Sequence, residues 1–238
     1  MDDARACEVL RDGDVDLLGR MPWSSNATFL ANLTLGADEL LAVYKPQRGE
    51  RPLWDFPRGT LCHREVAAYE VSHALGWHLV PHTVLRDGPH GVGMMQRFVE
   101  HDPEEHYFTL LAAHDDVFRR MAAFDIVINN TDRKGGHCLR AQADGRVFAI
   151  DHGVAFHAQW KLRTVIWDFA GDDVPAAVAA DLGRLLDQVD GGMLGETLAQ
   201  LLDRFEIDAL RARTEHLLAT GVFPEPDRDY HSYPWPTI

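Results

Sequence analysis

The chain has 238 residues, a hydrophobic content of 46% and a formal net charge of −14. This is enough apolar residue to bury a sizeable core, either in one domain or in two lobes around a cleft. The acidic charge and the absence of a Lys/Arg-rich block argue against nucleic acid as a partner, and no apolar run is long enough to predict a transmembrane segment.

The first part of the chain is predicted to be strand-rich, with one helix. Residues 1–45 indicate short strands separated by turns, and the last of these strands ends at Lys45. Apolar residues at helical spacing over 60–75, followed by Gly76, predict an amphipathic helix. The best-defined strands are predicted at 27–35, 39–44, 80–85 and 92–99.

The second part is predicted to be mainly helical. A long helix over 107–129 leads into a short hairpin and two further helices, with a possible break at Gly191–Gly192. The hairpin strands are predicted at 138–141 and 147–150, and the later helices at 174–202 and 207–219. We expect an α+β protein with an N-lobe at 1–100, a C-lobe at 101–222 and an irregular Pro/aromatic tail at 223–238 that lies along the body or is mobile.

Two carboxylates flank the predicted hairpin. Asp132 opens the loop after the long helix, and Gly135–Gly136 permits that loop to turn sharply. Asp151 follows the hydrophobic second strand and precedes His152-Gly153, a position that suits a metal ligand. Acidic residues presented by neighbouring loops can share one Mg-nucleotide, and phosphoryl transfer needs little more than positioning and charge neutralisation.

The layout Asp-x-x-x-x-ligand, short hairpin, Asp-x-Gly resembles the catalytic core of the protein kinase-like superfamily. The motifs NNTDRKGGH at 129–137 and IDHG at 150–153 are closer to its phosphatidylinositol 3-/4-kinase-like branch. They are also similar to a group of actinobacterial proteins of unknown substrate placed beside that branch. The resemblance covers about residues 17–171. It implies a two-lobed protein kinase-like fold that uses ATP with Mg²⁺, or with Mn²⁺ as the alternative metal.

The resemblance assigns roles to four residues. Asp132 matches the carboxylate that orients the acceptor hydroxyl, and Asp151 matches the ligand of the metal that bridges the phosphates. Lys45 matches the lysine that pairs with the α- and β-phosphates, and Glu65 matches the acid that holds this lysine. Glu70 is the alternative partner, since it lies about 140° away on the same helix and only one of the two can face Lys45.

One position departs from the family pattern. The second metal ligand is an asparagine in the family, whereas this chain has His137. Imidazole favours softer metals such as Mn²⁺ over Mg²⁺, which prefers oxygen donors. Three interpretations stay open: His137 binds metal differently, it binds phosphate as a cation, or it marks a weakened kinase.

The remaining candidate site residues are less specific. The loop at 19–26 lies where a phosphate-covering loop belongs but lacks GxGxxG, and residues 94–99 lie where the lobes would join, so adenine is expected there. Cations that follow the catalytic and metal motifs are candidate ligands of an anionic substrate, although a solvated helix start explains those at 160–167 equally well. The candidates are Ser24, Ser25 and Asn26 for phosphate, Gln96 and Phe98 for adenine, and Lys134, Lys161 and Arg163 for substrate.

The leading hypothesis is an ATP-dependent phosphotransferase acting on a hydroxyl of a small molecule, a lipid headgroup or a protein. The alternatives are a nucleotide-binding pseudokinase that acts as an interaction module, and a kinase-like enzyme that transfers AMP. The three cysteines form no CxxC pair and the amino-terminal segment has no apolar signal-peptide core, so a cytoplasmic location is expected.

Overall fold

The computed structural model describes residues 1, 3–22, 26–227 and 231–238. Its N-terminal part is built on a five-stranded antiparallel sheet with the strand order β1-β2-β3-β5-β4. The strands are β1 Asp14–Arg20, β2 Phe29–Leu35, β3 Asp38–Pro46, β4 Thr83–Gly88 and β5 Gly91–Arg97. Two helices, α1 Asp3–Asp12 and α2 Leu61–Ala74, cover this sheet.

Alternation of side chains along the strands gives the sheet two apolar faces. Tyr44 and Met95 pack beneath α1, where Val9 is fully buried. Met94, the neighbour of Met95, instead packs against Val66 of α2. The two helices therefore bury opposite faces of one sheet, and Lys45, adjacent to Tyr44 in β3, is directed to the α2 side.

The predicted α+β class is confirmed, but the N-terminal part contains one helix more than expected. Helix α1 occupies a segment that was predicted as short strands. Its buried residues Ala6, Val9 and Leu10 have the i, i+3, i+4 spacing of a helix that packs on a sheet. The helical pattern was present in the sequence, but it spans fewer than three turns and lies among acidic residues.

The C-terminal part is mainly helical, with a short β-hairpin. Its core contains Phe118, Phe124, Leu185 and Leu198, which are fully buried. The elements are α3 Tyr107–Leu110, α4 Asp115–Ile128, β6 Cys138–Arg140, β7 Val147–Ala149, α5 Ala176–Gly191, α6 Met193–Leu201 and α7 Arg204–Thr220. None of the described helices is long and apolar enough to cross a membrane.

The helix predicted over 107–129 is divided in two. A short 3₁₀ turn follows α3, and His114 leaves helical geometry at φ −135° and ψ 33° before α4 begins. Asp115 and Asp116 then occupy the first turn of α4, where carboxylates interact favourably with the amino-terminal end of the helix dipole. These two residues mark a helix start that apolar periodicity alone does not show.

Helix α2 is anchored to the helical part by a buried arginine. Arg64 forms an ion pair with Glu206 of α7, and its Nη1 donates to the carbonyl of Ala155 at 2.7 Å. The guanidinium also lies 4.8 Å from the centre of the Phe56 ring. These contacts tie α2, and with it Glu65, to the part of the chain that carries the other site residues.

Candidate active site

Lys45 is the centre of a connected set of ion pairs. It stands near the end of β3, and its Nζ lies 2.6 Å from Glu65 Oε1 and 2.9 Å from Asp151 Oδ1. Glu65 is almost fully buried, whereas Lys45 and Asp151 retain 20% and 49% side-chain exposure. Of the two acids on α2 that compete for Lys45, the structure brings Glu65 into contact.

The charges of this set stabilise one another. Burial opposes the charge on Lys45, but the carboxylates of Asp151 and Glu65 outweigh it and raise the pKa of the ammonium above its usual value. The Lys45 ammonium in turn holds the pKa of Asp151 well below the ordinary range of a carboxyl. Lys45 and Asp151 are therefore both charged at neutral pH.

Asp151 is held by strand β7 and by an unusual backbone conformation. It follows the buried end of the hairpin and adopts a left-handed φ of 62°, which aspartate tolerates better than most residues. The next amide, His152 N, donates to Glu65 Oε2 at 2.8 Å. Glu65 thus contacts both Lys45 and the loop that begins at Asp151 (the metal loop). The chain turns at Asp151 itself rather than at Gly153, whose φ is not left-handed.

Asp132 lines one cavity together with Lys45 and Asp151. Asn130 Oδ1 accepts from the Asp132 amide at 3.0 Å, and Lys134 Nζ lies 3.1 Å from Asp132 Oδ2. Burial raises the pKa of Asp132 despite the opposing charge of Lys134. The cavity has a volume of about 80 Å³, and its lining includes Asn26, Lys45, Glu50, Glu65, Asp132 and Asp151.

His137 faces Asp151, with 3.5 Å between Nε2 and Asp151 Oδ2. Burial lowers the pKa of His137 to about 4, so the imidazole is neutral at neutral pH. The Lys134 amide approaches His137 Nδ1 at 3.4 Å. A neutral imidazole favours the interpretation of His137 as a ligand over its interpretation as a phosphate-binding cation.

A buried charged cluster that the sequence did not predict lies beneath the loop that carries Asp132 (the catalytic loop). Arg133 and Asp125 are both fully buried and form a two-pronged ion pair, with Arg133 Nη2 at 2.9 Å and Nε at 3.0 Å from Asp125 oxygens. Arg133 Nη1 also donates to the carbonyl of Ile150 at 2.8 Å. Arg133 therefore fixes the loop that carries Asp132 to the strand end that carries Asp151.

His152 completes this cluster as a neutral residue. Its Nε2 lies 2.7 Å from Arg133 Nη2, and because guanidinium only donates, Nε2 must accept. Burial and the Arg133 charge lower the pKa of His152 well below its usual value. Its Nδ1, 3.9 Å from Glu65 Oε2, has no hydrogen-bond partner among the described residues. In the sequence, the two consecutive asparagines that precede Thr131 and Asp132 give a partial indication of this cluster, because Asn130 donates to Asp125 at 3.0 Å.

The loop expected to cover phosphate is described only in part. Ser24 and Ser25 lie outside the described residues, whereas Asn26 lines the cavity and accepts from the Arg51 amide at 2.9 Å. Glu50, which was not predicted, also lines the cavity. Its Oε1 accepts from the Cys62 amide at 2.8 Å, and its buried Oε2 has no partner within the described part of the chain.

Gln96 and Phe98, the residues expected to contact adenine, do not contact the charged residues Lys45, Glu65 and Asp151 in the structure. The Gln96 side chain is buried and donates to Thr83 Oγ1 at 2.9 Å, and the Phe98 amide donates to the Leu41 carbonyl at 2.9 Å. Met95, within the same predicted 94–99 segment, packs under α1 on the opposite face of the sheet. The Gln96 side-chain amide and the Phe98 backbone amide thus donate to other residues of the N-terminal part.

The candidate substrate cations also have protein partners. Lys161 Nζ lies 2.8 Å from Asp55 Oδ2 and 5.1 Å from the centre of the Trp54 ring. Arg163 Nε donates to the carbonyl of His231 at 3.1 Å. Lys134 alone among the three contacts a proposed catalytic group, Asp132.

The residues present fit a divalent cation that shares its coordination with a nucleotide. Within the described ranges, no group of three His, Cys, Asp or Glu side chains is arranged to hold a metal by itself. At the cavity, Asp151 offers a half-exposed carboxylate and Glu50 a buried oxygen without a partner among the described residues. His137, which lies 3.5 Å from Asp151, adds a neutral nitrogen beside the cavity. Magnesium is commonly held in this way, by one or two protein ligands together with phosphate oxygens and water.

The fold and this residue set define a kinase-like phosphotransferase, and comparisons with known proteins support that class. The family model described as "Phosphatidylinositol 3- and 4-kinase" matches residues 78–205, more than half of the chain. "Protein Rv2133c" of Mycobacterium tuberculosis (strain ATCC 25618 / H37Rv) is 44% identical over all of this chain and 96% of its own length. The chain belongs to the phosphatidylinositol 3- and 4-kinase family.

Solved structures share the fold at low sequence identity. The Helicobacter pylori proinflammatory kinase CtkA matches with a TM-score of 0.53 and 13% identity, over 90% of this chain and 94% of its own. The Golgi casein kinase with Mn/ADP bound matches with a TM-score of 0.57 and 14% identity, over 100% of this chain and 81% of its own. Together these matches confirm the two-lobed kinase-like fold.

Proposed function

We propose that the protein transfers the γ-phosphate of ATP to a hydroxyl acceptor. The observation that carries this proposal is the linked set Glu65–Lys45–Asp151, which lines one cavity with Asp132. Phosphoryl transfer requires a cation for the nucleotide, a ligand for the metal and a carboxylate for the acceptor, and this cavity offers all three. The binding of Mn/ADP by the Golgi casein kinase is consistent with the same cofactors here.

Each residue takes a role that its surroundings support. Lys45, kept charged by two carboxylates, pairs with the nucleotide phosphates. Asp151 and His137 would hold a divalent cation, and such a cation would supply neutralisation of charge on the phosphoryl group. Asp132, whose pKa is raised by burial, orients the acceptor hydroxyl and receives its proton. Glu65 positions Lys45 and the metal loop together.

Lys134 and Asn26 have supporting roles in this proposal. Lys134 Nζ, at 3.1 Å from Asp132, is close enough to neutralise charge on the transferred phosphate. Asn26 lines the cavity from the loop that precedes β2, and in this proposal its side chain contacts phosphate oxygens.

Labelled ATP tests the reaction type. The purified chain is incubated with γ-labelled or α-labelled ATP, in Mg²⁺ and then in Mn²⁺, with Ser/Thr peptides and phosphatidylinositol vesicles as acceptors. We expect label to reach an acceptor, or the chain itself, only from the γ position. Label that arrives from the α position indicates AMP transfer. Saturable nucleotide binding without transfer in either metal, to any of these acceptors, identifies a pseudokinase and contradicts the proposal.

The metal preference should depend on His137. His137→Asn replaces a nitrogen donor with an amide oxygen, so we expect the ratio of Mg²⁺-supported to Mn²⁺-supported transfer to rise about tenfold. Initial rates at saturating ATP in each metal measure this ratio, and His157→Asn, outside the cavity, serves as the matched control. An unchanged ratio, with transfer retained, removes His137 from the metal site.

A further inference from the structure

The carboxyl-terminal residues 231–238 lie against the catalytic and metal loops. The carbonyl of Ser232 accepts from the Thr164 amide at 3.1 Å and from Trp167 Nε1 at 3.1 Å. The carbonyl of Thr237 accepts from the Gly135 amide at 2.7 Å. In each of these contacts the body of the protein donates and the carboxyl-terminal segment accepts through its backbone.

Side chains alternate between buried and exposed along the first part of the segment. Ser232 and Pro234 are buried, whereas their neighbours His231, Tyr233 and Trp235 are exposed. The segment bends at 233 and at 235–236, so it meets the surface at separate backbone carbonyls rather than as a paired strand. The surface beneath it therefore binds backbone carbonyls and buries the side chains of Ser232 and Pro234.

This surface is continuous with the proposed active site. The Arg133 amide donates to the Arg163 carbonyl at 2.9 Å, and the Val165 amide donates to the Arg133 carbonyl at 3.0 Å. Ser232 of the segment is thus hydrogen-bonded to Thr164, within a strip of backbone that pairs with Arg133, the residue next to Asp132. None of the described residues of the segment lines the cavity that contains Lys45 and Asp151.

The glycines of the catalytic loop explain how the segment approaches so closely. Gly135 and Gly136 were expected to permit a sharp turn, but neither has a left-handed φ. A Cβ on Gly135 would lie 3.3 Å from the Thr237 carbonyl oxygen and 3.2 Å from the Phe108 ring. The glycine instead keeps room for a peptide backbone three residues beyond Asp132.

We propose that this edge, formed by Gly135 and residues 163–167, is the docking surface for a polypeptide acceptor, and that residues 231–238 occupy it when no acceptor is bound. The inference rests on the proposed function and names the acceptor class. Amide donors that bind backbone carbonyls recognise a polypeptide whatever its sequence, whereas a lipid headgroup has no repeating carbonyls to match them. While the segment is bound, the nucleotide cavity stays open and the acceptor surface is covered.

Two adjacent substitutions test the proposal. Pro234→Asp places a charge at a buried position and should release the segment, whereas Trp235→Asp places the same charge at a position that is 89% exposed. The probe is an arrayed library of Ser- and Thr-centred decapeptides with γ-labelled ATP, and phosphatidylinositol vesicles are the parallel acceptor. Circular dichroism and nucleotide affinity are measured for every variant. A chain that ends at Asp227 serves as the second released form in case Pro234→Asp does not fold.

We expect the rate of peptide phosphorylation to rise about tenfold in the released forms, because a segment that covers the surface about nine-tenths of the time leaves it free about one-tenth of the time. In Trp235→Asp we expect this rate to change by less than about twofold. Equal peptide transfer by all forms, with nucleotide affinity intact, overturns the inference but leaves the proposed function standing. Transfer to phosphatidylinositol alone also overturns it. If neither the parent nor any variant binds nucleotide, the proposed function itself is contradicted.

A titration that needs no turnover separates the docking surface from the chemistry. Unlabelled peptide of residues 231–238 is added to the released chain, and the amide resonances of Gly135 and Thr164 are followed by NMR. We expect both to shift saturably with the released chain and to stay unchanged with the parent. Absence of shifts in the folded, released chain shows that this edge does not bind peptide.

Discussion

Asp151→Asn is expected to abolish Mg²⁺-dependent nucleotide binding, whereas Asp132→Asn is expected to leave binding almost intact and to abolish transfer. Both substitutions remove one negative charge from the same cavity and keep the shape of the side chain. Asp151 contacts Lys45 and His137, so the substitution removes the proposed metal ligand and one of the two carboxylates that balance the Lys45 ammonium. Asp132 contacts Lys134 and lies on the acceptor side.

Equilibrium binding of a fluorescent ATP analogue, with and without Mg²⁺, and initial rates of γ-label transfer measure the two effects. For Asp132→Asn we expect a loss of about 10²–10⁴ in transfer rate, the range contributed by a positioned general base, with the dissociation constant within about threefold of the parent. The two variants control for each other. If Asp151→Asn binds Mg-ATP as the parent does, Asp151 is not a metal ligand.

Arg133→Met is expected to lower the free energy of unfolding by about 3–5 kcal/mol. The substitution leaves Asp125 as an uncompensated charge at a position with no solvent exposure, and the loss of one partner of a buried pair has this cost. Asn130 Nδ2 and Thr164 Oγ1 still donate to Asp125, at 3.0 Å and 3.3 Å, so the lower end of the range is the better expectation.

Urea unfolding followed by circular dichroism measures this cost. Arg204→Met is the matched control, because Arg204 is 89% exposed and pairs with Asp208 only on the surface, where a pair contributes about 0–1 kcal/mol. The double variant Asp125→Leu with Arg133→Met should recover part of the loss, since no charge is then left unpaired. If Arg133→Met unfolds like the control, Arg133 does not fix the catalytic loop to the metal loop.

The anchoring of α2 affects how the site forms. In this structure Glu65 already contacts Lys45, and Arg64, its neighbour in α2, is bound to the helical part through Glu206 and the Ala155 carbonyl. The pairing of Lys45 with Glu65 is therefore built into the packing between the two parts of the chain. If residues 231–238 cover the acceptor surface as proposed, access of the acceptor controls the reaction.

The sequence alone determined the class of fold, and it predicted the candidate site residues that belong to local motifs. Asp132 and Asp151 are placed by a single hairpin with fixed spacing, and the order of strands and helices follows from local periodicity. The pairing of Lys45 with Glu65 was implied by the family resemblance, whereas helix geometry showed only that Glu65 and Glu70 could not both face Lys45. The tertiary structure decided between them in favour of Glu65. The additional helix α1 and the start of α4 show the limit of apolar periodicity when an element is short or acidic.

Only the tertiary structure decided which polar groups lie together across long separations. Arg133 and Asp125 look like solvated charges in the sequence, and their complete burial depends on packing among α4, the catalytic loop and the metal loop. The contact between Gly135 and Thr237 joins residues that are far apart in the chain, through backbone atoms that carry no sequence pattern. Backbone hydrogen bonds depend on where chain segments meet, and this is a property of the folded molecule.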